Sequence, residues 1–227
     1  MEKIEIKPIA YIKNGFNEKF GIPRQPLRAP SVISKIVFLK EYSDISAFKR
    51  LSEFSHIWVL FEFSKSKTEK FTPTVRPPRL GGNEKVGVFA SRSPFRPNNI
   101  GLSLVKLISV DKTLDGKIAL TISGADMLND TPIIDIKPYV KHSDCIVDAV
   151  SGYADNFENY SLEVVIKDSL KAKIKPEFLA PIIECLKDDP RPSYQEDGKI
   201  YGMAYENLNV KFIVENGVLT VIEIKEN

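Results

Sequence analysis

Seven arginines held in proline-rich loops are the residues of this chain best suited to chemistry. Arg24 and Arg28 fall in IPRQPLRAP (22–30), Arg76 and Arg79 in TVRPPRL (74–80), Arg92 and Arg96 in SRSPFRP (91–97), and Arg191 in DPRPSY (189–194). Proline fixes its own φ and pushes the preceding residue out of the helical region, so such loops are stiff. Preorganised donors lose less entropy on binding. The planar arginine fork suits carboxylates and phosphates. Four such loops could clamp a ligand carboxylate and also make sequence-independent contacts to the phosphates of a nucleic acid. Phe89, Phe95, Tyr139 and Tyr194 lie close enough in sequence to stack on bases. Each feature also has an ordinary reading: connectors with solvated arginines, and aromatics packed in a core.

Other chemistries lack their residues. Cys145 and Cys185 have no C-x-x-C or zinc-like spacing, and His56 and His142 have no partners at metal-ligand spacing. Asp126, Asp130 and Asp135 do not match a calcium loop. No Ser-His-Asp pattern occurs, no G-x-G-x-x-G opens a helix, and Gly81-Gly82 is not a phosphate-cradling fingerprint, which argues against a dinucleotide-binding fold. An enzyme built from this inventory would rely on orientation, as in group transfer from an activated cosubstrate. With 32 Lys and Arg against 30 Asp and Glu, the net charge of +2 implies nucleic acid only if a basic surface is local. Hydrophobic content of 43% and charged content of 27% are those of a soluble globular protein. Sparse cysteine fits a reducing, cytoplasmic setting, and no apolar run suggests a signal peptide or a membrane span.

The elements that must position the arginines read as mainly β. Strands are expected over 4–12, 32–39, 56–63, 86–91, 101–107 and 118–122, with a short strand within 127–139. Asp44 is placed to cap a short helix over 45–51. The stretch 87–107 reads as strand, stiff loop, strand. Residues 14–30 form a long loop, either solvated or functional. A polar linker over about 143–159 separates a domain at 1–145 from one at 155–227. The second reads as a small α+β unit, β-α-β-β-β, with a helix starting near Pro176 and an Asn216-Gly217 hairpin.

The sequence GVFASRSPFRPNNIGLSLVKL (87–107) resembles the hallmark of the TrmO family, also called TsaA-like or YaeB-like. The resemblance extends over IPRQP, FSHIWVLFEF, PTVRPPRLGGN, DTPIIDIKPY and DPRPSY, in order along nearly the whole chain. It implies an N-terminal single-sheet β-barrel followed by a small α+β domain. It also implies an S-adenosylmethionine-dependent methyltransferase acting on N6 of threonylcarbamoylated adenosine 37 of tRNA, as a homodimer with the cofactor near the subunit interface. No metal and no membrane enter that picture. Matching positions assign Pro23, Arg24, Gln25, Ser64, Lys65, Arg92, Leu102, Asp130, Thr131, Pro132 and Ile133 to the cofactor. Asp130 is the candidate to take the N6 proton. Arg76, Arg79, Arg96, Arg191 and Tyr194 are assigned to tRNA. Asn99 stands where the family carries proline, so a softer loop is expected. From the residues alone, a non-catalytic RNA-binding module and a binder of small carboxylates also remain open.

Overall fold

The computed structural model of the chain describes residues 4–66, 70–192 and 197–226. Six antiparallel strands close into a barrel: β1 (Ala10–Lys13), β2 (Ile33–Phe38), β3 (His56–Glu62), β6 (Ile100–Lys112), β7 (Ile118–Ser123) and β8 (Pro132–Pro138), in the order β1-β2-β7-β6-β3-β8. A two-stranded ribbon, β4 (Thr74–Val75) and β5 (Val86–Gly87), lies between β3 and β6 in the chain. Alternation dictates which side chains go inside. In β3, Ile57, Val59 and Phe61 point inward, while His56, Trp58, Leu60 and Glu62 face out. Ile12, Ile36, Leu120, Ile122, Val105 and Ile133 fill the rest of the interior. A barrel this narrow is packed by its own side chains, so its interior leaves no room for a ligand. β1, β3 and β7 all end at the same mouth, and their loops, 14–32, 63–99 and 124–131, are gathered there.

The second unit is a mixed sheet of β9 (Glu163–Val165), β10 (Tyr201–Tyr205), β11 (Leu208–Glu215) and β12 (Val218–Glu226), ordered β10-β11-β12-β9, with β9 parallel to β12. The helix Pro176–Lys187 covers it with Ile182, Cys185 and Leu186. Asn216 and Gly217 both have positive φ, 50° and 79°, as a type I′ hairpin turn requires. Among the described residues no helix is long and apolar enough to cross a membrane.

Three segments differ from their sequence reading. The first strand covers only Ala10–Lys13, and Ile4 and Ile6 are exposed. The strand expected over 86–91 stops at Gly87, because Val88–Ala90 turn into a 3-10 helix that turns Phe89 outward. The loop 14–30 is neither solvated nor free. Phe16, Ala29 and the neighbouring Val32 are fully buried in the core of the second unit, and Phe20 and Ile22 pack against it. Glu184 of the helix accepts hydrogen bonds from both the amide and the hydroxyl of Ser31, at 2.8 and 2.7 Å. The loop is thus a belt shared by the two units.

Gly101 of β6 lies opposite Phe61 of β3. A Cβ there would stand 2.3 Å from the Phe61 ring, which is buried and packed edge-on against Phe63 with centroids 4.9 Å apart. Gly101→Ala is expected to overpack the mouth of the barrel and cost about 1–3 kcal/mol, read from chemical denaturation. An unchanged midpoint would show that the ring can yield.

Candidate active site

A pocket of about 150 Å³ opens at the barrel mouth where the three loops meet. Its apolar wall comes from Ile22, Phe61, Phe63, Met127 and Leu128, and its polar residues are Lys19, Ser64, Lys65, Ser66, Thr131 and Asp126. Lys19 reaches from the belt and donates to the Lys65 carbonyl at 2.6 Å and to Ser66 Oγ at 3.0 Å, fixing the turn at 64–66. The Thr131 hydroxyl donates to the Leu128 carbonyl at 2.7 Å and closes the third loop. Asp126 is half-buried at the pocket wall, and Ser103 Oγ donates to its Oδ1 at 2.5 Å. Burial pushes this carboxyl up to about 6, against the opposing pull of the Ser103 hydrogen bond, its own backbone N–H and the charge of Arg92.

The hallmark loop forms the rim, and Pro94 lines the pocket. Arg92 is exposed and donates to Gln25 Oε1 at 2.7 Å, linking the loop to the belt. Arg96 turns back and donates to the carbonyls of Val88 and Ser91 at 3.1 and 2.7 Å. Asn99 does not soften the loop. Its side chain donates to the Pro94 carbonyl at 2.7 Å, its carbonyl accepts from the Phe63 amide at 2.8 Å, and its φ of +28° is one that proline cannot adopt. Outside the rim, Phe71 and Phe89 are stacked with centroids 6.2 Å apart and are 55% and 71% exposed, an unusual display for two phenylalanines. The Arg96 guanidinium lies 5.7 Å from the Phe89 ring, and Phe95 is exposed beside it.

The remaining arginine loops converge on the protein itself. Asp188 and Asp189, at the C-terminal end of the helix Pro176–Lys187, are both buried. Arg28 Nε lies 3.0 Å from Asp188 Oδ1, and the Arg24 amide donates to Asp188 Oδ2 at 2.8 Å. The Arg24 guanidinium donates to the carbonyls of Asp189, Pro190 and Arg191. Arg79 donates to the Asp188 carbonyl, approaches Asp189 Oδ2 at 3.8 Å, and lies 4.0 Å over the Tyr160 ring. Arg191 is buried, pairing with Asp189 at 3.0 Å and with Asp197 at 3.3 Å. Burial alone would raise the Asp189 carboxyl. Hydrogen bonds from Arg191 and Tyr160 and the Arg191 charge outweigh it and hold the group below its ordinary value.

The family model for the tRNA-methyltransferase O N-terminal domain matches residues 11–145, and that for the TrmO C-terminal domain matches residues 159–227. This chain belongs to the tRNA-methyltransferase O family. The tRNA (adenine(37)-N6)-methyltransferase of Escherichia coli is 36% identical to it over 234 residues, 99% of each chain. An S-adenosyl-L-methionine-binding protein of Archaeoglobus fulgidus is 36% identical over 141 residues, 62% of this chain and 93% of its own. The crystal structure of TrmO from Pseudomonas aeruginosa superposes with a TM-score of 0.81 at 31% identity, covering 100% of this chain and 99% of that one.

Set against the positions that the TrmO resemblance implied, Ser64, Lys65 and Thr131 line the pocket. Gln25 and Arg92 pair at the rim, and Pro23 is buried in the belt. Ile133 points into the barrel interior, Pro132 pairs with Tyr11 on the barrel wall, and Leu102 lies on the outer face, 53% exposed. Asp130 is exposed, with a φ of +62°. Its carboxylate pairs with Lys13 and faces a separate depression lined by Tyr11, Phe38 and Lys117. Of the residues assigned to tRNA, Arg76 is exposed and Arg96 is partly so, while Arg79 and Arg191 are held in the aspartate cluster. Tyr194 lies outside the described residues. From the sequence, no role is assigned to Lys19, Ser103 or Asp126. The available signal was an acid set in the apolar run Gly124-Ala125-Asp126-Met127-Leu128 directly after a buried strand. Among the described residues no group of three or more His, Cys, Asp and Glu could hold a metal ion.

Asp189→Ala is expected to cost about 3 kcal/mol, because it leaves Arg79 without its counter-charge and the buried Arg191 with only the half-exposed Asp197. Urea denaturation followed by circular dichroism measures it. A loss under ~1 kcal/mol would mean that the guanidinium groups find other acceptors at no cost.

Proposed function

We propose that this protein transfers a methyl group from S-adenosylmethionine to N6 of adenosine 37 in tRNA, and that the adenosine carries the threonylcarbamoyl group. The observation that carries the reading is the pocket at the barrel mouth. It combines an apolar wall, cationic side chains and one half-buried carboxylate beneath the hallmark loop. The apolar wall and the cations fit a ligand with an aromatic base and a carboxylate. Phe61, Phe63, Ile22 and Leu128 suit the adenosine, while Lys65, Ser64 and Arg92 suit the carboxylate. S-adenosylmethionine, when bound, supplies an electrophilic methyl on a sulfonium. The chain orients the acceptor against it and keeps the pocket dry, where loss of the positive charge in the transition state is favoured. The volume of about 150 Å³ is below the ~300–1,000 Å³ of pockets that enclose a whole small molecule. A second subunit closing the open side is consistent with that, and a homodimer is part of this proposal.

The tRNA face is the outer side of the hallmark loop and the ribbon before it. Arg76 and Arg96 provide charge, and the exposed Phe71–Phe89 pair provides a surface on which a base can stack. Arg79 and Arg191 contribute by holding the loops in shape. With tRNA as substrate, we place the activity in the cytoplasm.

Incubation with labelled S-adenosylmethionine and total tRNA, followed by nucleoside analysis, is expected to yield methylated threonylcarbamoyladenosine. No label in tRNA would overturn the reading. Equal labelling of tRNA lacking the carbamoyl group would overturn its substrate. Arg92→Ala is expected to lower turnover about 100-fold or more with an unchanged circular dichroism spectrum. Undiminished turnover would remove Arg92 from the site.

A further inference from the structure

Methylation of N6 releases a proton, and the residue that takes it must stand in the pocket. Among the described lining residues, Asp126 is the one carboxylate. We propose that Asp126 is the general base of the methyl transfer, an assignment that rests on the methyltransferase reading above. As the N6–H bond breaks, its proton passes to the Asp126 carboxylate and its electron pair forms the N6–CH3 bond. The S–CH3 pair stays on sulfur, so a neutral sulfide leaves.

Three features support the assignment. First, Asp126 is anchored. Ser103, inward-facing on β6 and 1% exposed, spends its hydroxyl on Asp126 Oδ1 at 2.5 Å. A hydroxyl at an interior barrel position needs such a partner, and this one fixes the carboxylate toward the mouth. Second, Asp126 is tuned. Burial raises it to about 6, and a base titrating just below working pH is both ionised and strong enough to accept a proton. The charge of Arg92 from the hallmark loop acts on it, Lys19 from the belt and Lys65 from the 64–66 turn line the same pocket, and no second acid is among the described lining residues. Third, the alternative acid is misplaced, because Asp130 is paired with Lys13 and faces the other depression.

The test combines turnover, binding and titration. In the wild type, kcat/KM should rise through a midpoint near pH 6 and then level, since it follows ionisation of the base in the free enzyme. Asp126→Asn should lower turnover ~100-fold or more and flatten the pH profile. Calorimetric affinity for S-adenosylmethionine should stay within about 3-fold, which corresponds to well under 1 kcal/mol. Two readouts need no catalysis. The Asp126 carboxyl carbon should titrate near pH 6 by NMR in the protein without cofactor. Because the folded-state value is raised, ionisation opposes folding. The Asn variant should therefore melt above the wild type at pH 8, with the difference gone at pH 4. Ser103→Ala is the second variant. It removes a hydrogen bond that lowers Asp126, so it should move the activity midpoint upward. An Asn variant with wild-type turnover overturns the assignment alone. So does a loss of cofactor affinity equal to the loss of turnover, which would make Asp126 an anchor for the cofactor's positive charge. A wild type that transfers no methyl to tRNA overturns the methyltransferase reading and the assignment with it.

Discussion

Two aspartates at the wrong end of a helix govern how this molecule is assembled. The C-terminal end of a helix carries partial negative charge and unsatisfied carbonyls, so Asp188 and Asp189 after Lys187 add charge of the same sign where it is least welcome. The answer comes from the other domain. Arg24, Arg28 and Arg79 reach across to the carboxylates and to the carbonyls of 188–191, and Arg191 completes the cluster from within. Exposed pairs of this kind contribute little, but these carboxylates are buried, and the loss of either partner strands a charge. The geometry is therefore strongly determined, and it fixes the loops that bear the arginines.

Those loops make the site. The barrel interior is filled with its own side chains, and the pocket beneath the hallmark loop is built at the mouth, from segments that do not hold their own shape. The belt 14–32 is pinned at Arg24, Arg28 and Ser31 and buried at Phe16 and Val32, which leaves Lys19 and Ile22 at the pocket and Gln25 against Arg92. Rigidity at Arg24 thus becomes placement at Arg92. The same economy redirects charge. Four guanidinium groups around three carboxylates leave a local cationic excess behind the rim, even where no fork is free to grip a phosphate.

Much of this was legible in the sequence. The apolar run at 56–63, the strand expected over 118–122, the Asn216-Gly217 turn and the run of motifs specified barrel strands, the hairpin and the hallmark loop. The destinations of the arginines were not legible. A guanidinium seeks an anion, but residue type does not say whose, and the partners of Arg24 lie more than 160 positions away in the chain. Phe89 illustrates another limit. Its period suited a strand, and only the turn at Val88–Ala90 puts it in solvent beside Phe71. Asn99 was legible as a departure but not in its consequence, because a positive φ is a property of the closed loop and not of the residue.

Asp126 shows the cost of building a site at such a mouth. A carboxylate raised to about 6 is one the fold disfavours in its ionised form at neutral pH, by on the order of 3 kcal/mol. A structure selected for stability alone would place an apolar or neutral side chain after Ala125, among Met127, Leu128 and Phe61. The retained acid, and the interior serine that orients it, make sense together as groups held ready for a proton. The aspartate–arginine cluster gives the complementary half of that argument. Its buried pairs hold the belt and the rim against relaxation, so the mouth can keep an under-solvated acid in place instead of opening to let water reach it.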